Sequence, residues 1–136
     1  MRCIKFRLLI CILILAIALS ACGSGSGNDI VGTWKVTEYD NGEEVFPADE
    51  IAALYGETAG EFNKLSMVFT NSGNVTLTRP DMQGGTSDLK LAYSVQDGYV
   101  EVYDPDNTSN FELYEYQDNE IRIEVSSGLT AIFEKQ

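Results

Sequence analysis

An all-β fold is predicted here: an antiparallel meander of about eight strands curled into a barrel, with one short helix between the first two strands. Three observations predict it. Apolar residues recur at every second position from Ile30 onward, the joints between these runs are short and rich in Gly, Asn and Asp, and one segment alone carries helical spacing.

The first run alternates Ile30, Gly32, Trp34 and Val36 with Val31, Thr33, Lys35 and Thr37. Leu65, Met67 and Phe69 follow, then Val75 and Leu77, then Leu89, Leu91, Tyr93 and Val95. Val100 and Val102, Phe111 and Leu113, Ile121, Ile123 and Val125, and finally Leu129, Ala131 and Phe133 complete the series. Period two is the mark of a strand with one buried face. Between these runs stand Asn71-Ser72-Gly73-Asn74, Asp97-Gly98, Asp118-Asn119 and Ser126-Ser127-Gly128, residues that tolerate the positive φ of tight hairpin turns. Sequence neighbours are therefore expected to pair antiparallel. A barrel closes such a meander most simply, with a two-sheet sandwich as the alternative.

The exception to period two is Pro47–Gly56. Pro47, Asp49 and Glu50 suit a helix start, Ile51, Leu54 and Tyr55 share one helical face, and Gly56 suits the stop, so a helix over 48–55 is expected. It would serve as a plug that completes the core or as a lid and gate over a cavity mouth.

Ahead of the barrel, Arg2, Lys5 and Arg7 precede the apolar run Leu8 to Leu19 and the small residues Ser20 and Ala21, the pattern of a secretory signal peptide. The run is about 12 residues, short of the ~20 that span a bilayer as a helix. Leu19-Ser20-Ala21-Cys22 resembles the lipobox of bacterial lipoproteins. That resemblance implies cleavage before Cys22, lipidation of its thiol and an extracytoplasmic domain anchored to the bacterial cell membrane through this lipid. More than one acyl chain makes such an anchor stable. The expected organisation is a signal peptide at 1–21, the lipidated cysteine and a flexible Gly-Ser linker at 22–29, and a barrel domain at 30–136. Cys3 and Cys11 leave with the signal, so the mature chain has no disulfide.

Composition narrows the function. The chain carries 9 Lys+Arg against 21 Asp+Glu. Three of the cations lie in the signal, which leaves a mature charge of 6 − 21 = −15. Such a surface repels phosphate, so no nucleic-acid partner is expected. No histidine is present, which removes imidazole bases, Ser/His/Asp systems and His-ligated zinc. Carboxylates alone remain for acid–base work, no pair of them stands out, and no glycine loop for phosphate appears. The expectation is a non-enzymatic protein without a cofactor. Asp104 to Glu115 sets oxygen-bearing side chains at the spacing of a calcium loop, but Ser109 replaces the required glycine and the flanks read as strands, so the segment is read as an Asp/Asn hairpin loop.

Gly32-Thr33-Trp34, opening the first strand of a meander, resembles the Gly-x-Trp motif of the lipocalin and fatty-acid-binding superfamily, and its Val31–Lys35 context is similar to small bacterial lipocalin-like lipoproteins. The resemblance implies a lipocalin-like barrel with Trp34 closing its base. It also implies an arginine on the last strand against that ring. Gly128 to Glu134 holds none, which leaves Lys135 or Arg122 for the position.

Trp34, Met67, Phe69, Leu91, Tyr93, Phe111, Leu113, Ile123 and Phe133 are the expected interior, which serves equally as a dry core or as the lining of a lipophilic pocket. Trp34, Phe69, Tyr93 and Phe111 are the expected contacts of a small apolar ligand. Tyr99, Tyr103, Tyr114 and Tyr116 are expected on the outer face, where a contiguous patch would suit a protein partner in the cell envelope. The two functional readings are thus a ligand-binding barrel and an interaction module with a filled core.

Overall fold

A computed structural model describes residues 29–136. The expected leader, the Cys22 lipidation site and the Gly-Ser run lie outside the described residues. Contacts set residues 31–136 apart as one compact unit.

Nine strands form the sheet: β1 Gly32–Asp40, β2 Val45–Pro47, β3 Ser66–Phe69, β4 Asn74–Pro80, β5 Thr86–Gln96, β6 Tyr99–Asp104, β7 Asn107–Gln117, β8 Glu120–Ser126 and β9 Leu129–Lys135. Each pairs antiparallel with its neighbour from β3 through β9, and β9 returns to β1. This is a closed eight-stranded antiparallel barrel, with the three-residue β2 added beside the far half of β1. The ring of strand pairings runs from Gly32 to Lys135, and the Gln136 amide adds a bond to the Thr33 carbonyl at 2.8 Å.

The turns follow their residues. Asp118 and Asn119 adopt φ of 55° and 61°, and Gly98 takes φ 80° in the β5–β6 turn, as two-residue hairpins require. β1 carries an irregularity between Val36 and Glu38, which brings Tyr39 back to the inner side opposite Ala131.

Two expectations change. The segment between β2 and β3 is broken into a 3₁₀ turn at Ala48–Glu50, α1 at Ile51–Tyr55, α2 at Glu57–Gly60 and a 3₁₀ turn at Glu61–Lys64. Gly56, with φ 98°, ends α1 as expected, yet the chain resumes helix at once because Glu57 to Gly60 contains no breaker before its last residue. Of the expected helical face only Ile51 is buried, while Leu54 and Tyr55 are 54% and 47% exposed. Five residues make too little helix to turn a whole stripe inward.

The second change concerns β7. Val100 pairs with Tyr114, and Tyr116 pairs with Ile121, so Tyr114 and Tyr116 share the inner phase with Val100 and Ile121. Tyr114 is buried, and the Tyr116 ring meets Trp34 edge-on at 5.8 Å. Phe111 and Leu113 face outward, each 51% exposed. The expected phase of this strand is therefore reversed, since a shift of one residue in register turns every side chain to the other face.

Candidate functional site

The barrel interior differs between its two ends. At the end marked by Trp34 it is filled: Trp34, Phe69, Ile121 and Phe133 are all at most 1% exposed. Phe69 meets the Tyr93 ring edge-on at 4.9 Å, and the Tyr93 hydroxyl donates to the Thr70 carbonyl. Lys135 pairs with Trp34 in register, and a Cβ built on Gly32 would stand 2.7 Å from the Lys135 Cε. Lys135 is thus the last-strand residue in register with the tryptophan, and glycine is what lets its side chain lie across β1. Arg122 lies elsewhere, bonded to Asp40 at 3.1 Å and Glu120 at 3.3 Å.

Toward the other end the interior has space. One cavity of about 320 Å³ is lined by Phe62, Leu65, Leu77, Arg79, Pro80, Tyr114, Ile123, Val125 and Phe133. A second, of about 230 Å³, has Leu89, Leu91 and Val102 on its apolar side and Asp104, Asn110 and Glu112 on its polar side. Leu77, Arg79 and Tyr114 line both, so the two are adjoining lobes with Tyr114 at their junction. The Tyr114 hydroxyl donates to Glu112 Oε2. Burial first, then this hydrogen bond and the charge of Glu112, raise the phenol well above its ordinary value.

The space exists because β7 and β8 separate. They pair only at Glu115–Arg122, Tyr116–Ile121 and Gln117–Glu120. Above that point β7 pairs with β6 alone and β8 with β9 alone, so Tyr114 and Ile123 are no longer drawn together by a shared ladder. The helical segment roofs this end. Phe62 and Leu65 wall the larger lobe, the Tyr39 hydroxyl donates to Asn63 Oδ1 at 2.7 Å, and Asn63 in turn donates to the Ala48 carbonyl at 3.0 Å. Lys64 Nζ donates to the Gly84 carbonyl at 2.8 Å, which ties the roof to the β4–β5 loop.

The chain is similar to a lipocalin-like protein from Bacteroides uniformis ATCC 8492, with a TM-score of 0.51 over 80% of this chain and 100% of the other, at 14% identity. The fold is lipocalin-like. An uncharacterized protein from Bacteroides eggerthii DSM 20697 also aligns, over 78% of this chain and 98% of its own, at 12% identity and a TM-score of 0.45. No family model and no curated protein matches the chain.

Of the four expected ligand contacts, Trp34, Phe69 and Tyr93 belong to the filled end, outside the lining of both lobes. Phe111 lines the smaller lobe from an exposed position on β7. Leu91 and Ile123, expected inside, are in the lining, whereas Phe62, Arg79, Glu112 and Tyr114 were not anticipated there. Counting back from the two-residue Asp118-Asn119 turn would have found Tyr114, because that turn sets Tyr116 opposite Ile121 and puts Tyr114 on the same side.

The expected outer tyrosines divide in the same way. Tyr99 is exposed on the outer phase, Tyr103 is half-buried in the lining of the smaller lobe, and Tyr114 and Tyr116 turn inward. The Asp104 to Glu115 segment is the tip and second strand of the β6–β7 hairpin, where Asp104 Oδ1 accepts the Asp106 amide at 2.9 Å and Glu115 lies down the strand opposite Tyr99.

Proposed function

We propose that this protein is a membrane-anchored bacterial lipoprotein, held by lipid on Cys22 outside the cytoplasm, whose lipocalin-like barrel binds a small apolar ligand. The observation that carries the binding reading is the larger lobe. Its volume of about 320 Å³ reaches the size of small-molecule sites, and its lining is apolar apart from Arg79 and the Tyr114 hydroxyl. The body of the ligand lies among Phe62, Leu77, Ile123 and Phe133, and the helical roof is the gate. The anchor keeps the barrel near a source of lipophilic molecules.

The thermal midpoint of residues 23–136 against fatty acids, isoprenoids, long-chain alcohols and haem tests the binding. A ligand at 100 times its Kd adds about 2.7 kcal/mol, several degrees for a domain of this size. A concentration-dependent rise supports the reading, and flat midpoints across the panel overturn it. The anchor is tested separately: Cys22→Ser is expected to move the protein from the membrane fraction to the soluble one.

A second reading, an interaction module for an envelope protein, draws on the outer face of the β6–β7 hairpin. Tyr99, Phe111 and Leu113 are each about half-exposed there, at 47%, 51% and 51%.

A further inference from the structure

The lobes differ in charge, and that difference bears on the head group of the ligand. The larger lobe has Arg79 as its one charged lining residue. The smaller adds Asp104 and Glu112, so two carboxylates and one guanidinium line the adjoining lobes. Glu112 and Tyr114 lie two apart on one strand, hence on one face, and the Tyr114 hydroxyl occupies Glu112 Oε2. The other oxygen of Glu112, Oε1, receives no hydrogen bond from the described residues, and neither does the Asn110 side chain. Around this lobe the mature chain carries −15, so the field at its mouth gathers cations and turns anions away.

We propose that the adjoining lobes take an amphiphile with a cationic head: the apolar body in the larger lobe, and a protonated amine in the smaller one against Glu112 and Asp104. This rests on the apolar-ligand reading above and adds the head group to it. A carboxylate head would lie beside two like charges with only Arg79 in compensation. An amine donates to the Glu112 and Asp104 oxygens, two carboxylates against the one guanidinium.

Three probes with one tail isolate the head: decylamine, decanol and decanoate, each below its aggregation threshold, titrated calorimetrically into residues 23–136. The amine is expected to bind one per barrel, to be displaced by decanol, and to bind about tenfold more tightly than the alcohol at low salt, an advantage that shrinks as salt screens it. Glu112→Gln and Asp104→Asn are each expected to narrow that advantage, with unliganded thermal midpoints confirming that the variants fold. Equal affinities for amine and alcohol would overturn the cationic head while leaving the apolar site standing. Tightest binding by decanoate would assign the head to Arg79 and also overturn it. Amine binding that decanol does not displace would be surface attraction to the acidic domain and overturns the proposal as well. Failure of all three probes removes the apolar reading together with this one.

Discussion

Tyr114 and Glu112 are bonded side by side on the inner phase of β7, the phenol buried and its hydroxyl donated to a carboxylate at the rim of the smaller lobe. The pair stands where β7 leaves β8, so it fills part of the gap that an unbroken ladder would have closed. Removing the hydroxyl deprives Glu112 of its donor but leaves a ring of nearly the same shape. Tyr114→Phe is expected to cost about 1 kcal/mol, the net worth of one such hydrogen bond, read as a small drop in the urea midpoint with unchanged slope.

Two buried phenols and a half-buried one make the fold sensitive to alkali. Burial raises Tyr39, Tyr93 and Tyr114 above the ordinary tyrosine value, with Glu112 adding to the last. A folded-state value above the unfolded one gives stability that is whole below about pH 10 and is lost as pH rises through the range beyond it. Urea midpoints are expected to hold steady up to about pH 10 and fall above it. A Tyr39→Phe variant is expected to show a shallower fall.

The filled and open ends should respond differently to truncation. Phe69 is 1% exposed and packed on Tyr93, so Phe69→Ala opens a new cavity and is expected to cost about 3–5 kcal/mol. Leu77 already borders space, and Leu77→Ala is expected at the low end of its class, about 2 kcal/mol. Denaturant melts of the two variants measure the contrast, and equal losses would mean that the two ends are packed alike.

Gly32 has φ 138° and lies under the Lys135 side chain. A Cβ there meets Lys135 and a backbone conformation that side chains rarely adopt, so Gly32→Ala is expected to lower stability by about 1 kcal/mol or more. Pairing it with Lys135→Ala relieves the contact but not the dihedral. The double variant should therefore recover only part of the loss in thermal midpoint.

Arg122 joins Asp40 of β1 to Glu120 of β8 across β9, with side chains roughly a third exposed. Desolvation opposes its charge, but the hydrogen bonds it donates to Asp40 and Glu120 outweigh this and raise its pKa. At that exposure Arg122→Met is expected to cost no more than about 1 kcal/mol, and high salt should shrink the difference.

The separation of β7 from β8 leaves an unshared ladder edge. Amides of β7 between Asn107 and Leu113 that point toward β8 are expected to exchange faster than those of β4 and β5, which pair with each other over all seven residues of β4. Hydrogen exchange followed by mass spectrometry reads this directly, and uniform protection would mean that the seam is closed in solution.

The barrel was legible because its signals are local. Alternation in Val75 to Leu77, Leu89 to Val95 and Leu129 to Phe133 fixes strands, and Asp118-Asn119 or Asp97-Gly98 fixes the turns between neighbours. The candidate site was less so. Phe111-Glu112-Leu113-Tyr114-Glu115-Tyr116 carries apolar residues on both phases, so alternation alone leaves the buried face of β7 undecided. Trp34, Phe69 and Tyr93 looked like pocket lining for the same chemical reason that they make good core, since apolar rings suit either setting.

By itself, then, the sequence determined the strand period, the hairpin order, the charge of the domain and the position of Trp34 at the start of β1, all properties of a residue and its near neighbours. Tertiary structure alone decided which end of the barrel is filled and which is hollow. That outcome depends on how far β7 and β8 stay paired and on where Phe62, Leu65 and Arg79 come to rest, and these are sums over distant strands that no local pattern records.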